Sequence, residues 1–133
     1  RDASSILSKQ NKNVAKKIFG YESLINYNHD CKEMMLNPSS DFLTKFGELL
    51  EKTWQTKKSL EGTISSKEMD KMHSEVKSLG SYGGKLSGAG GGGFFYEIVP
   101  KEKQIELLKV YGQSRLLKVA YEPFGSRLLS EIF

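Results

Sequence analysis

The chain lacks what most small extracellular, zinc-bound or membrane proteins rely on. Cys31 is the only cysteine in 133 residues, so no disulfide can form within the chain. That cysteine with two histidines, His29 and His73, is too few for a structural zinc site, which takes four such ligands. No uninterrupted apolar run approaches the roughly 18 residues of a membrane-spanning helix. Charge of one sign is also missing: 20 basic residues stand against 16 acidic ones, for a net charge of +4. Such a mixed balance reads as a solvated surface with at most a mild attraction for phosphates. A lone thiol fits a reducing compartment, and the expected location is cytoplasmic. A hydrophobic content of 38% suffices for one ordinary core at this length.

Glycine is what the chain has in excess. Of its 13 glycines, eight fall between Gly80 and Gly93. The half before them reads as helices. Ile6, Leu7, Val14, Ala15 and Ile18 form a partial stripe over residues 2–19, with Gly20 as a stop. Leu24, Tyr27, Asn28, Cys31, Met34 and Met35 recur at three- and four-residue steps up to Asn37-Pro38, where proline disfavours further helix. Ser39 or Ser40 is then placed to cap a helix striped with Phe42, Leu43, Phe46, Leu49, Leu50 and Trp54. After Gly62, a cap at Ser65 or Ser66 opens a helix with Met69, Met72, His73, Val76 and Leu79 on one face, ended by Gly80.

The second half changes period. Residues 83–87 read as a short strand, and Phe94-Phe95-Tyr96-Glu97-Ile98-Val99 as an aromatic and β-branched strand closed by Pro100. A helix over 101–112 carries Ile105, Leu108 and Tyr111. Strand character returns over 116–121 and again over 127–133, separated by the turn Glu122-Pro123-Phe124-Gly125. Two strands joined by so short a connection must pair antiparallel. Helices set apart from such a sheet make an α+β domain.

The run Gly83-Gly84-Lys85-Leu86-Ser87-Gly88-Ala89-Gly90-Gly91-Gly92-Gly93 carries the chemistry. Glycines reach positive φ and let backbone N–H groups converge on an anion with no Cβ in the way. Ser87 adds a hydroxyl and Lys85 a charge. Gly88, Gly90 and Gly93 satisfy G-x-G-x-x-G, but a strand follows where a dinucleotide fold needs a helix. The nucleotide P-loop also fails, because the Gly84-Lys85 pair is followed by Leu86 and not by Ser or Thr. A ligand-free flexible hairpin is the plain alternative. The mixture of Lys, Ser, Ala and Gly between two apolar strands favours a ligand-facing loop. The remaining polar residues are weaker candidates: His73 lies on an apolar stripe and reads as packed, Trp54 as core, and Asp30 and Glu33 as surface charges.

The segment Lys85-Leu86-Ser87-Gly88-Ala89-Gly90-Gly91-Gly92-Gly93-Phe94 resembles the third signature motif of the GHMP kinases. Trp54, Lys57, Lys58 and Leu60, then Ile64-Ser65 and the helix to Gly80, resemble the approach to that motif in the sugar-kinase branch. Gly125-Ser126-Arg127 resembles the closing segment of heptose 7-phosphate kinases. The resemblance implies an α+β fold, an antiparallel sheet packed with helices as a ferredoxin-like plait. It implies an ATP-dependent kinase that passes a γ-phosphoryl group to a sugar hydroxyl, with heptose 7-phosphate as acceptor. ATP and Mg2+ are the implied cofactors, held mainly by an N-terminal domain whose phosphate loop, Pro-x-x-x-Gly-Leu-x-Ser-Ser/Ala, has no match here. Residues 1–133 are thus expected to be a C-terminal domain, without a catalytic residue of its own and inactive alone.

Ser87, Gly88, Ala89, Gly90, Gly91 and Gly92 are the implied contacts to substrate or phosphate. Arg127 is either a contact to the substrate phosphate or a structural ion pair. The implied partners are a sugar phosphate, ATP, the chain's own N-terminal domain and further copies of itself; no membrane is implied. The competing reading is a non-enzymatic α+β module gripping an anionic ligand or nucleic acid through the glycine loop. Scattered basic residues and the lack of an evident exposed aromatic platform disfavour nucleic acid.

Overall fold

The computed structural model describes residues 17–88 and 90–120, together with Ser4. Their order is helix α1 (Ile18–Leu36), α2 (Phe42–Leu60), α3 (Lys67–Ser78), strands β1 (Gly83–Leu86) and β2 (Phe95–Ile98), a 3-10 helix (Lys101–Lys103) and α4 (Gln104–Tyr111). The class is α+β, with an antiparallel pair as its described sheet. Of the expected first helix only its last residues and Ser4 are described, and the expected turn and strand over 122–133 lie outside the described residues.

Gly20 does not stop a helix. It sits in the first turn of α1, where a Cβ would come within 2.7 Å of Leu60 Cδ2, so its missing side chain lets α1 cross close over the end of α2. Asn37 ends α1 as the residue before proline should. The expected serine cap on α2 is not made. Asp41 holds the N-cap position, and the Ser39 hydroxyl is spent on Asp41 Oδ1 at 2.5 Å while Lys45 pairs with Oδ2 at 3.1 Å. The cap on α3 is made, with Ser66 Oγ accepting from Met69 N–H at 3.3 Å. At the other end of α3, Gly80 takes φ +103°. Its N–H reaches Lys77 O at 3.0 Å and Ser81 N–H reaches Val76 O at 3.3 Å, the paired bonds of a Schellman ending.

The core is small. Trp54 and Ile64 are each 1% exposed and close on Leu86, with Met69 and Phe95 against them. Burial of an aliphatic side chain such as Ile64 stabilises by about 2 kcal/mol. The hairpin is drawn onto α2 by glycine. A Cβ on Gly83, at φ +142°, would lie 2.3 Å from Gly47 O, so backbone meets backbone there. Gly83 pairs with Ile98, Gly84 with Glu97, Lys85 with Tyr96 and Leu86 with Phe95.

Two expectations for the last elements change. On α4 the inward residue is Leu107, with Lys103 and Tyr111 partly covered on the same side, while Ile105 is 62% exposed. Tyr111 is partly covered, as its spacing led one to expect, and its hydroxyl donates to Glu75 at 3.0 Å, while the Lys103 stem, which the apolar spacing did not include, covers Gly80. Residues 116–120 form no strand, and Leu117 and Val119 are exposed without a paired neighbour among the described residues. Strand propensity needs such a neighbour to be realised.

Candidate functional site

Residues 87–94 join β1 to β2 and form the candidate site. The base is closed by Ser87 N–H donating to Phe94 O at 2.8 Å. Above it, Gly88, Gly90, Gly91, Gly92 and Gly93 all have positive φ, between +77° and +155°. Only glycine takes such a succession without strain. The loop has two sides. On one, Gly91 N–H donates to Ile64 O at 2.8 Å, and a Cβ on Gly90 would meet Ile64 Cγ2 at 2.8 Å and its backbone at 3.0 Å. On the other, Ser87, Gly88 and Gly92 are exposed, and neither Gly88 nor Gly92 has anything within 4 Å of a built Cβ. Of the expected contacts, Ser87, Gly88 and Gly92 therefore face open space, while Gly90 and Gly91 rest on Ile64. Ala89 and Arg127 lie outside the described residues.

The Ile64 support is itself braced. Ile64 N–H donates to Glu61 O at 3.1 Å, Ser65 Oγ to Asp70 Oδ1 at 3.0 Å, and Lys58 Nζ to the same Oδ1 at 2.9 Å. The bonds from Lys58 and Ser65 hold the Asp70 carboxyl below its ordinary range against some burial. Lys58 also lies 5.7 Å from the Trp54 ring centroid. The turn between α2 and α3 is thus tied to both helices before the loop leans on it.

Below the hairpin lies a cluster that residue spacing did not reveal. His73, expected as packed, is buried on α3 with its side chain 5% exposed. Its Nδ1 lies 2.5 Å from Glu97 Oε1 and its Nε2 2.7 Å from Glu51 Oε2. Ser81 Oγ donates to Glu97 Oε2 at 2.7 Å, Gln55 to Glu51 Oε1 at 2.6 Å, and Lys77 Nζ reaches Glu51 Oε2 at 3.3 Å. Phe95 stacks on the imidazole at 5.1 Å. Burial works to lower the His73 pKa, but the bonds and charges of Glu97 and Glu51 outweigh it and raise the pKa overall. Burial works to raise Glu51, yet Gln55, His73 and Lys77 together hold it below its ordinary range. A signal for the cluster was present: Glu97 shares the inward face of its strand with Phe95, and Glu51 lies between Gly47 and Trp54 on the covered side of α2.

No group of three or more His, Cys, Asp or Glu among the described residues is arranged to hold a metal. No metal-held step is assigned to these residues. His29, Asp30 and Glu33 are exposed on α1. No helix among the described residues is long and apolar enough to cross a membrane.

Fold and loop together define an α+β domain whose hairpin presents a glycine-rich turn braced on a helix–helix connection. The family described as GHMP kinases C terminal matches residues 40–114, more than half of the chain, and the chain belongs to that family. The matched span runs from the start of α2 past α4 and contains the whole glycine loop. A D-glycero-alpha-D-manno-heptose 7-phosphate kinase of Campylobacter jejuni subsp. jejuni serotype O:2 is 36% identical over 70 residues. That alignment covers 53% of this chain and 20% of the relative, so the match spans a fifth of the relative's length.

Proposed function

We propose that this chain is the C-terminal domain of an ATP-dependent sugar-phosphate kinase, acting in the cytoplasm and forming one wall of its active site. The observation that carries the reading is the two-sided glycine loop: Gly90 and Gly91 are fixed on Ile64, and Ser87, Gly88 and Gly92 are left open to a ligand. A fixed loop of backbone N–H groups suits phosphoryl transfer, where the protein mostly positions and stabilises charge. The relative's name supports heptose 7-phosphate as the acceptor. ATP and Mg2+ would be held mainly by a separate N-terminal domain, the partner this wall needs. The role of the described residues is to bind and orient, and no proton transfer is assigned to them.

The test is ADP release by the full-length protein given ATP and a panel of sugar phosphates that includes heptose 7-phosphates. Turnover with one of them is expected. Failure with every sugar phosphate would remove the kinase reading. A domain expressed from these 133 residues alone should release no ADP under the same conditions.

One observation favours the competing, non-enzymatic reading. Phe94 is 71% exposed and Tyr96 42% exposed, so the hairpin does carry an aromatic platform beside its lysine, contrary to the expectation from sequence. Bases stack on such rings in single-stranded nucleic-acid binders. Salt-sensitive binding of single-stranded DNA or RNA by the full-length protein, with no sugar-phosphate turnover, would favour that module.

A further inference from the structure

The glycine loop is held at two places that belong to different parts of the fold. One side leans on the turn between α2 and α3, where Gly91 N–H donates to Ile64 O at 2.8 Å. The base belongs to the hairpin, where Ser87 N–H donates to Phe94 O at 2.8 Å. The shape of the open side therefore depends on how the hairpin sits against α2 and α3. Two neighbours of the base set that placement. Phe95, paired with Leu86 on the rung nearest the loop, meets Trp54 edge-to-face at 5.4 Å and stacks on His73 at 5.1 Å. Two residues further along the same inward face, Glu97 Oε1 lies 2.5 Å from His73 Nδ1. The other ring nitrogen, Nε2, lies 2.7 Å from Glu51 Oε2 on α2. One imidazole on α3 thus ties β2 to α2.

That tie is complete in one protonation state only. Ionised carboxylates accept hydrogen bonds and donate none. An imidazolium has two N–H donors and satisfies Glu51 and Glu97 together. A neutral ring has one, and must turn its lone pair toward the other carboxylate. Each carboxylate keeps a partner of its own, Ser81 for Glu97 and Gln55 with Lys77 for Glu51. The bridge between the elements can therefore open without stranding either charge. Among the described residues, Asp70 on α3, bound to Lys58 and Ser65, and Tyr111 on α4, bound to Glu75, complete the titratable surroundings.

We propose that His73 is a positioning residue for the glycine loop: as an imidazolium bridging Glu51 and Glu97 it fixes the hairpin that carries the loop's base, and its deprotonation weakens the loop's hold on substrate. This deepens the kinase reading and rests on its claim that the loop faces a ligand. Burial opposes the charge, but Glu97 and Glu51 raise the His73 pKa overall, so the bridge persists above the ordinary 6.5 and opens as pH rises further. The side chain is 5% exposed and touches no reacting group, so the effect falls on KM and not on kcat.

The test joins the pH profile of ADP release by the full-length protein to the amide NMR shifts of its loop. E51Q keeps the imidazole, and its amide can donate to a neutral ring. The ratio of parent to E51Q KM for the sugar phosphate should rise about tenfold from pH 6 to pH 9, within the usual range for coupled sites. Ionisation of the substrate cancels in that ratio. H73Q should have the raised KM already at pH 6, with no comparable rise. The Ser87 and Gly91 amides of the parent should titrate with the midpoint of the His73 ring and move far less in E51Q. A KM ratio that stays level, or a change confined to kcat as partial unfolding produces, overturns the proposal. Loop amides that ignore the His73 titration overturn it as well. Loop amides that follow His73 in a protein that turns over no sugar phosphate would sink the kinase reading and leave the positioning role standing.

Discussion

Two glycines, two positions apart in the sequence, separate the loop's structural duty from its open side. Gly88 and Gly90 both have positive φ, at +91° and +107°. Alanine at either position carries the backbone cost of a left-handed residue, about 1 kcal/mol. At Gly90 the new methyl would also press on Ile64 at 2.8 to 3.0 Å, and part of that contact is backbone that cannot turn aside. G90A is therefore expected to lower stability by about 3 kcal/mol and G88A by about 1. Urea unfolding of the two variants checks the difference, and equal midpoints would mean that the loop does not rest on Ile64. Trp54 gives a second contrast. Its ring is 1% exposed at the centre of the core, yet Nε1 is buried with no acceptor among the described residues. Truncation to alanine should cost about 4 kcal/mol through the cavity. Phenylalanine removes the unpaired N–H as well as part of the ring, so W54F should cost less than half as much in the same unfolding measurement.

At the scale of elements, local rules were readable where one residue acts on its own neighbourhood. Ser66 sits three residues before Met69 at the head of an apolar stripe, and it caps α3; Gly80 follows the stripe, and it ends the helix. The aromatic run before Pro100 pairs as β2 with the strand before the glycines. Readability failed where a distant partner decided the outcome. Gly20 looks like a stop, but its use is to let Leu60 approach. Ser39 looks like a cap, but Asp41 takes its hydroxyl. Ile105 looks like an inward residue, but Leu107 is buried instead, and the Lys103 stem lies over Gly80. That the loop needs glycine was legible from composition, whereas its two sides were not, because Ile64, on which one side rests, lies more than twenty residues away. The caps offer a direct test. S66A should destabilise by about 1 kcal/mol, while S40A should change stability by less than about half of that. Thermal unfolding of both variants reads the contrast; an equal loss would mean that the α3 cap contributes nothing specific.

Across the whole molecule, α2, α3 and the hairpin are joined by a buried imidazole–carboxylate cluster as well as by apolar contact. Glu51 belongs to α2, His73 to α3 and Glu97 to β2, and the imidazole stands between the two carboxylates with Ser81, Gln55 and Lys77 around them. A protonated His73 answers both charges at once. A neutral one leaves two carboxylates, 11% and 17% exposed, facing it from either side. The sign of the pH dependence follows. The His73 pKa is raised above its ordinary 6.5, so its contribution is complete below about pH 6.5 and is lost as pH rises through the folded-state value. The Glu51 pKa is lowered from 4.5, so its contribution is complete above about pH 4.5 and is lost as pH falls through the lowered value. These two groups are therefore worth most between about pH 4.5 and 6.5, and their joint contribution declines on both sides. On the alkaline side the slope approaches about 1.4 kcal/mol per pH unit, the linkage limit for one proton, over the interval between the unfolded and folded His73 values. H73Q has no proton to lose there. It should be less stable than the parent chain at pH 6 and should lack the alkaline decline, so the two stability curves converge as pH rises. Urea unfolding across pH 5 to 9 measures both curves, and a parent chain whose stability holds level or increases from pH 6.5 upward, in parallel with H73Q, would show that the imidazolium does not join these three elements.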